Sequence, residues 1–324
     1  MTAPGTRPDW LRIRADFPVL TRQVHGKPLV YLDSANTSQK PQAVVRAMDE
    51  VYSEHNANVS RGVHTLGSEA TEAYEGARGR IAAFINAPAD ELVLTSGTTF
   101  AINLVAYSWG MSRLKAGDTV LVTLMEHHAN IVPWQLVAER TGATLKVVGI
   151  TPTGELDLDD LYAKMTPDVK LLAVTHVSNV LGTVNPVAAI CREARRRGIV
   201  TVVDGSQALP HRAVDVQALG CDFYAFTGHK MLGPTGTGGL WARREHLRDM
   251  PPFLGGGEMI KEVRFDRTIY NDPPHKFEAG TPNIAGVVGL GAAVDYLQGV
   301  GMADIEAREQ ALLDAASLRL RPII

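Results

Sequence analysis

Residues 221–230 read Cys-Asp-Phe-Tyr-Ala-Phe-Thr-Gly-His-Lys. Phe223–Thr227 is apolar on both faces, the pattern of a central strand in a mostly parallel sheet covered by helices on either side. The run breaks at Gly228 and presents Lys230 at the strand's carboxyl end. Burying an ammonium there costs on the order of several kcal/mol unless it is neutralised, as Schiff-base chemistry would do. Taken alone, an exposed lysine on the turn after the strand accounts for the stretch better. The neighbouring segments decide between the two.

Similar short runs recur along the chain: Leu92–Thr95, Thr119–Leu124, Thr144–Ile150, Lys170–Thr175, Val200–Asp204 and Gly239–Arg243. Helical patterns lie between them, such as Ala70, Ala73, Tyr74, Ala77, Ile81 and Phe84, spaced three and four apart. Pro186 suits a first helical turn and Gly198 the stop of the same helix. Repeated strand–helix–strand units predict an α/β domain, a mostly parallel sheet flanked by helices, from about Tyr31 to Leu254. In such sheets ligands bind at the carboxyl ends of strands.

Those ends carry the informative residues. Val202-Val-Asp204-Gly-Ser-Gln207 is an apolar strand ending in a carboxylate, 26 residues before Lys230. An aspartate there can keep the pyridine nitrogen of pyridoxal 5'-phosphate (PLP) protonated; it can equally be a turn or capping residue. Ser96-Gly97-Thr98-Thr99 opens a helix over Phe100–Trp109, where free N–H groups and hydroxyls form a phosphate cup or a plain N-cap. Glu126-His127-His128 follows another strand; adjacent histidines point in different directions, which argues against a metal site using both. One imidazole can lie over a pyridine ring, or simply be bonded within a loop. Asn179, ending Thr175-His-Val-Ser-Asn179, can bond a phenolic oxygen or hold a turn. The glycines of 233–239 match neither the Walker A pattern nor the dinucleotide fingerprint and read as a turn.

Bulk properties narrow the partners. At 324 residues the chain exceeds a single ordinary core, and 45% hydrophobic with 21% charged residues is a globular composition. A net charge of −3 provides no basic field for nucleic acid or an anionic membrane. The basic run Arg192–Arg197 sits where a helix ends and reads as a solvated terminus. Two cysteines exclude a disulfide-stapled scaffold, Met1–Pro8 lacks the layout of a signal peptide, and the weakly polar stretch Ala285–Val294 is about half the ~20 residues of a membrane span. The expectation is a cytoplasmic protein acting on a small molecule.

Taken together, the strand ends bearing Gly97–Thr99, His127, Asn179, Asp204 with Gln207, and Lys230 resemble, in that order, the class V aminotransferase family of PLP-dependent fold type I. Met125-Glu-His-His-Ala-Asn-Ile-Val-Pro-Trp134, Thr175-His-Val-Ser-Asn-Val-Leu-Gly182, Gly228-His-Lys230, and the region from Arg264 to Phe277-Glu-Ala-Gly-Thr-Pro282 resemble its SUF-type cysteine desulfurases. The resemblance runs from about Leu11 onward. It implies conversion of L-cysteine to L-alanine, with sulfur passed as a persulfide to a SUF-system acceptor protein for iron–sulfur cluster assembly; L-selenocysteine is a substrate of related members. It further implies that Lys230 carries PLP and moves protons, and that Asp204 pairs with the pyridine nitrogen. Gln207 would bond the phenolic oxygen and His127 stack on the ring, with Thr98, Thr99, Thr227 and His229 at the phosphate. Thr281 would be lent across the interface of a homodimer.

Two departures qualify this. Ser60-Arg61-Gly-Val-His64 has serine where many relatives have histidine, affecting substrate-side contacts. The family's sulfur-accepting cysteine, in a C-terminal His-Cys loop, and its substrate-carboxylate arginine have no counterpart in these 324 residues, and Cys191 and Cys221 read as core residues. The expected organisation is an N-terminal segment 1–30, a PLP-binding domain 31–295, and the start of a truncated α+β domain at 296–324. Alternatives are a selenocysteine lyase, another class V enzyme, or a PLP-binding or partner-binding chain without catalysis.

Overall fold

The computed structural model describes residues 8–60, 62–321 and 323. Arg61 and most of Met1–Pro8, which entered the sequence reading, lie outside the described residues. Seven strands form the central sheet: β1 Leu92–Thr95, β2 Thr119–Thr123, β3 Thr144–Val148, β4 Val169–Thr175, β5 Val200–Asp204, β6 Phe223–Thr227 and β7 Gly238–Ala242. Their spatial order is β1-β7-β6-β5-β4-β2-β3. β7 alone runs antiparallel, pairing with β1 on one side and β6 on the other. The remaining strands share one direction, so their carboxyl ends meet along one edge.

Alternating side chains along the strands feed two separate cores. Leu94, Leu121, Leu172, Val203, Tyr224 and Phe226 join the cluster on one face. Val93, Val120, Val122, Leu171, Ala173, Val202, Phe223 and Ala225 join the other. This two-sided burial is what makes the strands read as continuous apolar runs rather than alternating ones. β3 departs from the expectation of a covered strand: it forms the sheet's edge, and Lys146 and Val147 are exposed. A charged side chain on an edge discourages pairing with another chain.

The helix Thr65–Phe84 buries Ala70, Tyr74, Ala77 and Ile81 as its spacing predicts, and also Arg78. That guanidinium bonds both oxygens of Glu278 at 2.6 and 2.8 Å, Glu75 at 2.8 and 3.2 Å, and the Leu92 carbonyl at 3.0 Å. Glu278 also accepts from the Leu94 amide at 2.7 Å, so one ion pair ties helix, strand and a distant turn together. The helix after Pro186 spans Val187–Arg196, with Gly198 at φ 71° just beyond it, where the left-handed backbone favours glycine.

One expected helix needs correction, and another was not foreseen. The helix placed at Phe100–Trp109 begins at Thr98 and runs to Val105, then widens into a π turn over Ala106–Gly110. Ala285–Val294 lies within a buried helix, Ile284–Val300. Its glycines let it approach its neighbours: a Cβ on Gly289 would meet Met48 at 2.7 Å, and one on Gly291 would meet Ala77 at 2.9 Å. The boundary expected at residue 295 therefore falls inside a helix. The last helix, Met302–Leu320, buries none of its residues. Among the described residues no single helix is long and apolar enough to cross a membrane.

Candidate active site

The carboxyl edge of the sheet opens into a cavity of about 330 Å³, within the range of roughly 300–1,000 Å³ for small-molecule sites. Its walls include Ser96–Phe100 after β1, His127 after β2, Thr175 and Asn179 at the end of β4, Asp204, Ser206 and Gln207 from β5, and Thr227, His229 and Lys230 from β6. Register explains the convergence, because Thr175 pairs with Asp204, and Asp204 with Ala225, at the ends of adjacent strands.

Lys230 closes a short 3-10 turn, Gly228–Lys230, and is half-buried. Burial lowers its pKa, and the Asp204 carboxylate partly opposes that by favouring the ammonium. Asp204 is buried, with Oδ1 accepting from the Ser206 amide at 2.9 Å and the Ser206 hydroxyl at 2.6 Å. Ser206 Oγ also lies 2.7 Å from Thr98 Oγ1, joining the carboxylate to the helix N-terminus. Beneath them Tyr224 packs under Gly205, where a Cβ would lie 2.2 Å from the ring. The Tyr224 hydroxyl is 3.1 Å from Nδ1 of buried His176, whose pKa burial lowers to about 4.

His127 is exposed to the cavity, and its Nδ1 accepts from the Ala129 amide at 3.1 Å. The neutral ring therefore carries its proton on Nε2. Burial first, then the Lys230 charge, lowers its pKa. Just before it, Glu126 is buried and bonded by Thr123 Oγ1 at 2.6 Å, Asn130 Nδ2 at 2.7 Å and the Thr175 amide at 2.8 Å. It thus fastens the His127 turn to the end of β4. Burial drives its carboxyl up to about 8, against the pull of these donors.

The β1 end forms a cradle. Gly97 has φ 140°, and a Cβ there would meet Thr227 Oγ1 at 3.1 Å. Gly238, paired with both Thr95 and Thr227, has room for no side chain: a Cβ would lie 2.6 Å from Gly97 Cα. Thr98, Thr99 and Thr227 line the cavity beside the opening of helix Thr98–Val105, whose first-turn amide groups suit an anion. A half-buried amine, a buried carboxylate across from it and this cradle make a donor set that fits PLP.

The cavity brings together Lys230, His127, Asp204, Gln207, Thr98, Thr99, Asn179, Thr227 and His229; Thr281 is exposed and is not among its lining residues. Gln207 Nε2 donates to the Ala35 carbonyl at 2.7 Å, with one N–H remaining. Ser206, Glu126 and the segment around Asn36 escaped the sequence reading. Ser206 was signalled by its place two residues after Asp204, in an Asx-type turn; the other two carried no local signal.

Comparison with known proteins agrees with this geometry. The family model for aminotransferase class-V matches residues 30–323. A probable cysteine desulfurase of Xylella fastidiosa is 68% identical over 99% of this chain and 77% of its own length. Solved cysteine desulfurases from Thermococcus onnurineus and Escherichia coli superpose with TM-scores of 0.92 and 0.90, at 40% and 41% identity. They cover 99% and 98% of this chain, which spans 77% and 78% of theirs. With a match over most of its length and this level of identity, the chain belongs to the class-V aminotransferase family, among the cysteine desulfurases.

Proposed function

We propose that this chain binds PLP on Lys230 and removes sulfur from L-cysteine, leaving L-alanine. The observation that carries this is the half-buried Lys230 amine facing the buried Asp204 carboxylate in one cavity with His127. PLP supplies an electron sink for bonds broken at the substrate's α-carbon. Asp204, held by Ser206, would keep a proton on the pyridine nitrogen. Lys230, its pKa lowered by burial, would carry the cofactor and move protons at the substrate. His127 would lie over the cofactor ring, Asn179 and the remaining N–H of Gln207 would bond its phenolic oxygen, and the β1 cradle with Thr98, Thr99, Thr227 and His229 would hold the phosphate.

The sulfur step needs a thiolate to attack the substrate's sulfur. Burial drives the Cys191 thiol up to about 12 and the Cys221 thiol well above its usual value, so neither serves. With an added thiol the balance is one L-cysteine and one thiol giving one L-alanine and one persulfide. This supports a second reading for the chain by itself: cofactor binding, with desulfuration dependent on a supplied thiol. A SUF-type acceptor protein is the biological partner we infer. A homodimer lending Thr281 to its partner's site accords with the exposed apolar side chains Leu124 and Val180, one just before the His127 turn and the other just after Asn179.

The test is spectroscopic. Purified chain reconstituted with PLP is expected to show the visible band of lysine-bound cofactor, with borohydride trapping it on Lys230. An unchanged band in Lys230→Ala overturns the assignment. Alanine release from L-cysteine should require added thiol, and parallel assays with L-selenocysteine separate the lyase alternative.

A further inference from the structure

The stretch from Tyr31 to Lys40 forms neither helix nor strand, yet its hydrogen bonds converge on the turn that bears Lys230. Four donors meet at one acceptor, the His229 carbonyl: the Ser38 amide at 3.0 Å, Thr37 Oγ1 at 3.1 Å, Ser38 Oγ at 3.1 Å and Lys40 Nζ at 2.9 Å. A carbonyl oxygen has two lone pairs, so this is an unusual concentration. The Ser38 hydroxyl also accepts from the Leu232 amide at 2.9 Å, closing the turn from its far side. Thr37 Oγ1 lies 3.3 Å from His229 Nδ1 and so fixes the ring beside the phosphate cradle. At the other end of the segment, the Ala35 carbonyl takes the Gln207 bond.

Lys40 is the unusual member. Its ammonium is directed at two carbonyls, those of Ser38 at 2.5 Å and His229 at 2.9 Å. Burial lowers its pKa to about 8. Desolvating an ammonium is costly, and the bonds to these two carbonyls offset part of that cost.

We propose that residues 35–40 form a strap that positions the cofactor lysine, with Ser38 and Lys40 as positioning residues acting through the His229–Lys230 peptide. This rests on the reading of Lys230 as the PLP carrier. The strap fixes where the Lys230 side chain starts and how the His229 ring faces the cradle, leaving the chemistry to Lys230 itself.

The experiment uses the full chain, with and without PLP, as wild type, Lys40→Met, Lys40→Arg and Ser38→Ala. In PLP-free protein, amide exchange read by mass spectrometry over residues 228–232 is expected to quicken about tenfold in Lys40→Met and Ser38→Ala, while helix Ile284–Val300 stays as protected as in wild type. Histidine NMR should place the His229 titration at higher pH in Lys40→Met, because a neighbouring cation is gone, and Lys40→Arg should restore it. PLP should dialyse away faster from the Lys40→Met holoprotein. Exchange over 228–232 indistinguishable from wild type in the substituted chains overturns the strap. If Lys40→Met does not fold, Ser38→Ala, which removes only a hydroxyl, decides by the same exchange measurement. Because that measurement needs no cofactor, it stays informative even if Lys230→Ala keeps the visible band.

Discussion

At the scale of single residues, the site runs on the contest between burial and charge. Lys230 is pushed toward the neutral amine by burial and pulled back by Asp204. Asp204→Asn removes that pull and, on the proposed reading, the proton partner of the pyridine nitrogen, so alanine release is expected to fall by about 10²-fold or more in a thiol-supplemented assay. PLP should still be retained. Glu126 makes a sharper case for pH. Its folded pKa is raised from 4.5 to about 8. The stability it contributes is therefore complete below about 4.5 and is lost as the pH rises to about 8, because the unfolded chain gives up that proton first. Thermal melts of Glu126→Gln are expected to lose this part of the pH dependence across that window. An unaltered slope would show that other groups dominate. Glu126 stands next to His127 in sequence, but its burial became apparent only when Thr123, Asn130 and Thr175 were seen to surround it.

Among elements, strand ends were legible and helix partners were not. β1, β4, β5 and β6 fall within a residue of the expected runs, because two-sided burial forces unbroken apolar sequence. Helix Ile284–Val300 was missed since its glycines, spaced for close packing on helices Gln42–Ser53 and Thr65–Phe84, look like loop composition in isolation. Arg78 was hidden for a related reason: its carboxylate partner Glu278 lies 200 residues away. Glu278→Ala leaves that buried guanidinium without its main partner and is expected to cost about 3–5 kcal/mol, measurable by urea denaturation. Gly205→Ala tests the layer under Asp204. A methyl 2.2 Å from the Tyr224 ring must displace the ring or the carboxylate, with an expected cost of about 1–3 kcal/mol and weaker PLP binding.

Across the whole molecule, protection should be graded. Helix Ile284–Val300 is packed between two others, whereas Met302–Leu320 is held by the ion pair of Arg212 with Glu306 at 2.6 Å, a hydrogen bond between His211 and Glu309 at 2.8 Å, Arg308 over the Trp10 ring, and the partly buried Met302 and Ile305 at its start. Exposed ion pairs of this kind contribute about 0–1 kcal/mol each. Hydrogen exchange is therefore expected to be early in residues 310–320 and late in 284–300, and added salt should widen the gap. The sequence by itself determined the sheet, the family and most of the side chains that line the strand-end cavity, because apolar runs and strand-end motifs are written locally in the chain. The tertiary structure alone decided that Arg78 is buried, that Glu126 ties the His127 turn to β4, and that an irregular N-terminal segment grips the Lys230 turn. Each of these depends on groups far apart in sequence, and whether such groups come within bonding distance is settled by packing rather than by local pattern.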